Sequence, residues 1–194
     1  MDIPLVIYRV LIIGFFSLFF FFRIEIINRL PYRLKKPATE YFKEMKFTIG
    51  NWWKTILVPI LVISVCFFIG TLFNLTVFHP FPQFSIDATL WAYFIEVGIL
   101  APFSEQILQC VFLSVIFFII GLFYKNRWII TGLNIAALTF ISYILASVHF
   151  DPITLNWLMR FFLFMIFGAI YYLNERNMFP SVVAHSAWNL LSLL

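Results

Sequence analysis

Apolar residues fill this chain in long blocks, separated by short polar intervals that punctuate it. The first block, from about Pro4 to Ile27, predicts a membrane span. A basic, partly amphipathic segment follows from Asn28 to Lys54; Pro31 and Pro37 break it, and Trp52 and Trp53 suit a membrane interface. A second span is predicted from Thr55 to Phe78, and His79-Pro80-Phe81-Pro82 forms a rigid loop without Lys or Arg, placed outside. From Ala88 to Tyr124 there are 37 mostly apolar residues. As one helix they would reach about 55 Å, too long for a hydrocarbon core of about 30 Å. The break is expected at Ala101-Pro102, because proline disfavours a helix interior and suits a first turn. That gives a third helix near Ala88 to Leu100 and a fourth near Pro102 to Phe123, closed by Lys125-Asn126-Arg127. A fifth is expected from Trp128 to Val148, ended by Asp151-Pro152, and a sixth from Leu155 to Leu173. Asn174-Glu175-Arg176-Asn177 reads as a hairpin loop, and a seventh helix starts at Pro180. The pattern predicts an all-α, polytopic transmembrane bundle of about seven helices, one domain over residues 1–194 without linker or repeat.

Composition supports lipid as the solvent. Hydrophobic residues make up 63%, charged residues 11%, and mean hydropathy is +0.98, where a soluble domain is about half apolar and a quarter charged. Of 13 Lys and Arg, eight lie between Arg23 and Lys54, which marks segment 28–54 as cytoplasmic and interfacial. Anionic lipid explains that basic run, and nucleic acid is not expected as a partner. Cys66 and Cys110 lie inside apolar runs, so no disulfide framework or Cys-rich metal motif is expected. The run from Val10 to Phe22 ends in charge, unlike a cleaved signal. Lys125, Arg127 and Arg176 would prefer one side of the membrane. A strict seven-span count does not put them there, whereas a third helix that dips in and returns would.

Ionisable groups inside spans are costly and usually face a cavity or a partner. Here they are Glu96, Glu105, His149, Arg160 and His185, with Asn189 adding an amide. His185 and Asn189 stand four apart and share a helix face. Glu105 follows just after Ala101-Pro102. A carboxylate can take a proton from water, and two imidazoles can bind a metal or hold the water and the developing oxyanion. An Asn amide can donate to that oxyanion. The set makes a demand on depth. His149 ends the fifth helix and His185 lies about 7 Å inside the seventh. They meet only if the sixth helix is short or tilted, or if residues 150–156 fold back into the protein.

At these residues the chain resembles the CPBP family of CAAX prenyl proteases and bacterial bacteriocin-processing or self-immunity proteins. The family's Ala-Pro-x-x-Glu-Glu-x-x-x-Arg is matched by Ala101-Pro102-Phe103-Ser104-Glu105-Gln106-Ile107-Leu108-Gln109-Cys110. Its Phe-x-x-x-His corresponds to Leu145-Ala146-Ser147-Val148-His149, and its His-x-x-x-Asn to His185-Ser186-Ala187-Trp188-Asn189. The resemblance covers residues 101–194 as a catalytic-like core. It implies an intramembrane, metallo-type endopeptidase acting on a peptide or membrane-anchored protein; the short chain and plain loops suggest a bacterial cytoplasmic membrane. Glu105 would activate water, His149 and His185 would stand beside it, and Asn189 would stabilise the oxyanion. Zinc is the metal implied, with His149, His185 and Glu105 as its ligands. Gln106 and Cys110 depart from the pattern: they replace the second Glu and the Arg, and Leu145 replaces the Phe. Losing both partners of the Glu–Arg pair strands no charge. Arg160 or Glu96 could take over that pair's structural place. Two other readings stand beside this one. A relative without catalysis would act by binding, as an immunity or scaffold protein. A transporter would use Glu96, Glu105 and the histidines as an ion path, although no inverted repeat supports it.

Overall fold

The computed structural model describes residues 27–72, 94–149 and 154–192, with Leu11, Gly14, Leu18, Glu25 and Trp91 besides. Most of the expected first span, the loop at His79 to Pro82, the helix start at Ala88 and the break at Asp151-Pro152 lie outside these residues. Among the described residues the chain is helical and carries no strand; one isolated bridge joins Lys46 to Asn177. A short helix, α1 (Tyr32–Lys43), precedes four helices long and apolar enough to cross a membrane. These are α2 (Trp53–Leu72), α3 (Glu96–Phe123), α4 (Arg127–His149) and α5 (Leu155–Leu173). The last helix, α6 (Met178–Leu191), has 14 residues. At about 21 Å it is too short to span alone.

Two prolines shape the start of two spans. The helices α2 and α3 open in π-helical turns, Trp53–Leu57 and Glu96–Leu100. Each turn ends two residues before a proline, Pro59 or Pro102. Proline has no N–H to donate, and its ring collides with the carbonyl four residues back. Widening the preceding turn moves that carbonyl aside without ending the helix. The break expected at Ala101-Pro102 is therefore absent, and α3 runs on as one helix of 28 residues.

The centre of the bundle is α3. Its inner face buries Ser104, Gln106, Gln109 and Ser114 among apolar neighbours. An unpaired polar group there would be costly, and each side chain has found a partner, although Gln109 Oε1 is left without one. Ser104 donates to the Ala101 carbonyl at 2.9 Å, and Gln109 Nε2 donates to the Phe164 carbonyl of α5 at 2.7 Å. Ser114 bonds the Tyr171 hydroxyl of α5. The two helices come close at Gly168, where an added Cβ would stand 2.3 Å from Leu138 Cδ1 of α4 and 3.0 Å from Gln109 Nε2.

Outside the spans, α1 lays Tyr41 and Phe42 against Phe118 of α3, with ring centroids 5.4 and 5.3 Å away. The strand-like segment after it is tied to the α5–α6 turn. Lys46 N donates to the Arg176 carbonyl at 3.2 Å, and Met178 N to the Lys46 carbonyl at 3.0 Å. Asn177 bonds Thr48 twice, through Oδ1 at 3.2 Å and Nδ2 at 2.8 Å. Two left-handed residues, Glu175 (φ 55°) and Arg176 (φ 60°), turn the chain. Their side chains pair with Lys46 at 2.9 Å and Glu44 at 3.1 Å, and Arg176 also lies 3.9 Å over the Tyr41 ring. Burial pushes the Tyr41 phenol up to about 12 despite that cation. The Lys46 hydrogen bond and charge hold the Glu175 carboxyl below its ordinary value.

Candidate active site

Three helices bring Glu105, His149 and His185 together. Glu105 stands one turn after Ala101 on α3, His149 is the last residue of α4, and His185 lies halfway along α6. Glu105 Oε1 is 3.4 Å from His149 Nε2, and Oε2 is 3.7 Å from His185 Nε2. The carboxylate thus lies between the two rings, one oxygen toward each. His185 is 1% exposed, whereas the Glu105 and His149 side chains are 17% and 26% exposed. The site is closed behind His185 and reachable from the His149 side.

The depth demand is met at Phe164, the midpoint of α5. Its ring lies 5.8 Å from His149 and 5.9 Å from His185. Helical side chains lean toward the N-terminus of their own helix. His149 accordingly turns back along α4, where Nδ1 meets the Leu145 carbonyl at 2.8 Å. On the other side Phe167 stacks on His185 at 4.6 Å and 18°, which fixes the ring plane.

The other sequence-predicted residues take different places. Asn189 shares the His185 face of α6, but its Nδ2 donates to the Val97 carbonyl at 2.9 Å and so grips the π-helical turn ahead of Pro102. Glu96 is buried in that same turn. Gln106, fully buried, bonds His185 Nδ1 at 3.0 Å. Cys110, also fully buried, lies one turn further along α3. Arg160 lies one turn before Phe164 on α5, with Nη1 buried and without a hydrogen-bond partner. Ser181 was not anticipated. It donates to Gln106 Oε1 at 2.6 Å, and its hydroxyl is also 2.9 Å from the Phe167 carbonyl. A signal for it exists in the sequence, because Ser181, His185 and Asn189 repeat at four-residue spacing along one face.

Two imidazoles and a carboxylate are donor types used by water-activating zinc. Among the described residues, however, no group of three or more His, Cys, Asp and Glu side chains is arranged to hold a metal ion. The carboxylate itself takes the space between the rings that a shared ion would need. As arranged, the donor set implied by the resemblance does not fit a metal. What the arrangement can do is acid–base chemistry: a carboxylate and two imidazoles in contact can hold a water and move its protons.

No family model, curated protein or solved structure matches this chain.

Proposed function

We propose that this chain is an intramembrane endopeptidase of the CAAX-protease and bacteriocin-processing type, seated in a bacterial cytoplasmic membrane with about seven membrane helices. The observation that carries the reading is the Glu105 carboxylate held 3.4 and 3.7 Å from two imidazoles of different helices. Ionisable groups converging inside an apolar bundle are costly and call for a use. The three motifs, in order along the chain, give the reaction class.

The substrate is a peptide bond of a peptide or membrane-anchored protein. Glu105 accepts a proton from water, and the water oxygen bonds to the carbonyl carbon. The carbonyl electron pair moves to oxygen, where a neighbouring N–H stabilises it. The proton then passes from Glu105 or His149 to the amide nitrogen as the C–N bond breaks, leaving a carboxylic acid and an amine. Asn189 serves this chemistry by steadying the turn before Pro102 through Val97.

The test is a cleavage-linked assay at matched membrane expression, comparing wild type with Glu105→Gln and His149→Ala. General acid–base catalysis of this kind contributes about 10²–10⁴-fold, so each variant should lose at least about a hundredfold. Wild-type activity in Glu105→Gln would overturn the mechanism and leave a relative that acts by binding, a reading favoured by Gln106 and Cys110 at the motif's charged positions.

A further inference from the structure

The two histidines face Glu105 with the same ring nitrogen, yet their other nitrogens have opposite partners. His149 Nδ1 meets a backbone carbonyl at 2.8 Å, which can only accept. That nitrogen therefore carries the hydrogen, and in the neutral ring Nε2 offers a lone pair. His185 Nδ1 meets the Gln106 side-chain amide at 3.0 Å, and which end of the amide faces it depends on Ser181. The contact from Ser181 Oγ to the far end of that amide is 2.6 Å. A length of 2.6 Å belongs to O–H···O, whereas N–H···O bonds centre near 2.9–3.0 Å. The serine has one hydrogen and two acceptors within reach, the amide end at 2.6 Å and the Phe167 carbonyl at 2.9 Å; the shorter contact takes it, so the amide oxygen accepts and the amide nitrogen is left facing His185. It donates to Nδ1, so the neutral His185 ring carries its hydrogen on Nε2, toward Glu105 Oε2.

We infer that Gln106, held by Ser181, is a positioning residue that locks His185 as an N–H donor toward Glu105. The inference rests on the peptidase reading only for what the two histidines are used for. His185 then presents its N–H to the carboxylate or to the oxyanion, and His149 shuttles the proton. The lock has a second consequence. A ring nitrogen that bears hydrogen cannot ligate a metal, and metal-binding histidines donate their other N–H to a carbonyl or carboxylate. His149 meets that requirement through Leu145, and His185 does not, because Gln106 gives it a donor where an acceptor is needed. The position of Gln106 thereby closes this site to zinc by tautomer as well as by space. Phe167, stacked on the ring, holds the plane in which the two nitrogens meet Gln106 and Glu105.

The experiment is nitrogen NMR of the full chain in lipid nanodiscs, with only histidine labelled. The sequence has three histidines, so His79, His149 and His185 are separable by single substitution. Wild type should show a bare Nδ1 and a hydrogen-bearing Nε2 at His185, with hydrogen on Nδ1 at His149. Gln106→Glu offers an acceptor and should invert the His185 tautomer, and added zinc alone should then move its Nε2 signal. Hydrogen-bond partners of a ligating histidine typically change metal affinity about 10–100-fold, so zinc should bind this variant at least about tenfold more tightly than wild type. Ser181→Ala frees the amide to rotate and should give a mixture of tautomers at His185, with His149 unchanged; this variant adds no buried charge and guards against misfolding of the first. Hydrogen on His185 Nδ1 in wild type, alone or with a second on Nε2, overturns the inference. So does zinc that shifts His185 Nε2 in the wild-type protein, or a Ser181→Ala spectrum identical to wild type. These signals need no substrate. Failure of the cleavage assay would sink the peptidase reading and leave the tautomer result standing, and the reverse holds equally.

Discussion

Single atoms decide how tightly this bundle can close. Gly168 lets α5 approach α3 and α4, because a Cβ there would stand 2.3 Å from Leu138 Cδ1. Gly168→Ala must push that side chain aside. Overpacking of this kind costs about 1–3 kcal/mol, and the outcome is a lower Tm for the variant in detergent. An unchanged Tm would mean that the neighbouring helices give way freely. Asn189→Ala removes the donor to Val97 and leaves a partly buried carbonyl with one bond fewer, at a cost of about 1 kcal/mol. Because Val97 belongs to the turn that carries α3 into Pro102, this variant should lose activity as well as stability. Loss of stability alone, with full activity per folded molecule, would separate Asn189 from the chemistry. The residue types at the site were legible before the fold: Glu105, His149 and His185 stand out because charge and imidazole are rare in apolar helices. The partner of Gln106 was not legible. No local pattern states that a glutamine on α3 meets a serine and a histidine on α6, since the pairing exists only where the two helices cross.

Among the elements, the short tie between the segment after α1 and the start of α6 carries the mechanical link. Asn177 caps α6, accepting from Phe179 N at 3.3 Å, and bonds Thr48 on both sides of its amide. Asn177→Ala loses the cap, worth about 0.5–2 kcal/mol, and the Thr48 bonds as well. Trypsin should then cut after Lys43 or Lys46 faster than in wild type; equal rates would show that Asn177 does not hold the segment. The Lys46–Glu175 pair has a defined pH direction. Glu175 is depressed in the folded protein, so its contribution is present above the unfolded value of about 4.3 and is lost as pH falls through the lower folded value. Cleavage by an acid-active protease near Lys46 should rise over that window in wild type and stay flat in Glu175→Gln. The helix ends at Lys125 to Arg127 and at Asn174 to Asn177 were readable from charge and turn residues. The π-helical turns before Pro59 and Pro102 were not. Proline signals a conflict in the backbone, and whether the helix stops or widens depends on whether its flanks are held by packing on both sides.

At the scale of the molecule, the cationic loops gather at one end of the bundle. Lys125 and Arg127 close the α3–α4 hairpin, and Tyr172, just before the α5–α6 turn, packs its ring 5.6 Å from Phe117 near the end of α3. The positive-inside tendency is thus satisfied within these helices. Single cysteines placed at Lys125 and at Glu175, in a background without Cys66 and Cys110, should both react with an impermeant thiol reagent from the same side of sealed vesicles. Labelling from opposite sides would refute this arrangement. The sequence by itself determined the solvent and the element type: long apolar blocks force helices in lipid, where each backbone group must be bonded within its own segment. It also marked which polar residues had to be functional or paired, since each costs free energy in that setting. Only the tertiary structure decided that His149 and His185 reach one carboxylate, that Asn189 turns to Val97, and that Gln106 sets the face His185 presents. Those outcomes depend on helix tilt, on the lean of side chains, and on hydrogen bonds between residues as far apart in the chain as Gln106 and His185. Hydrophobic patterning is blind to all three, because it records which side of a helix is apolar and carries nothing about what that side will meet.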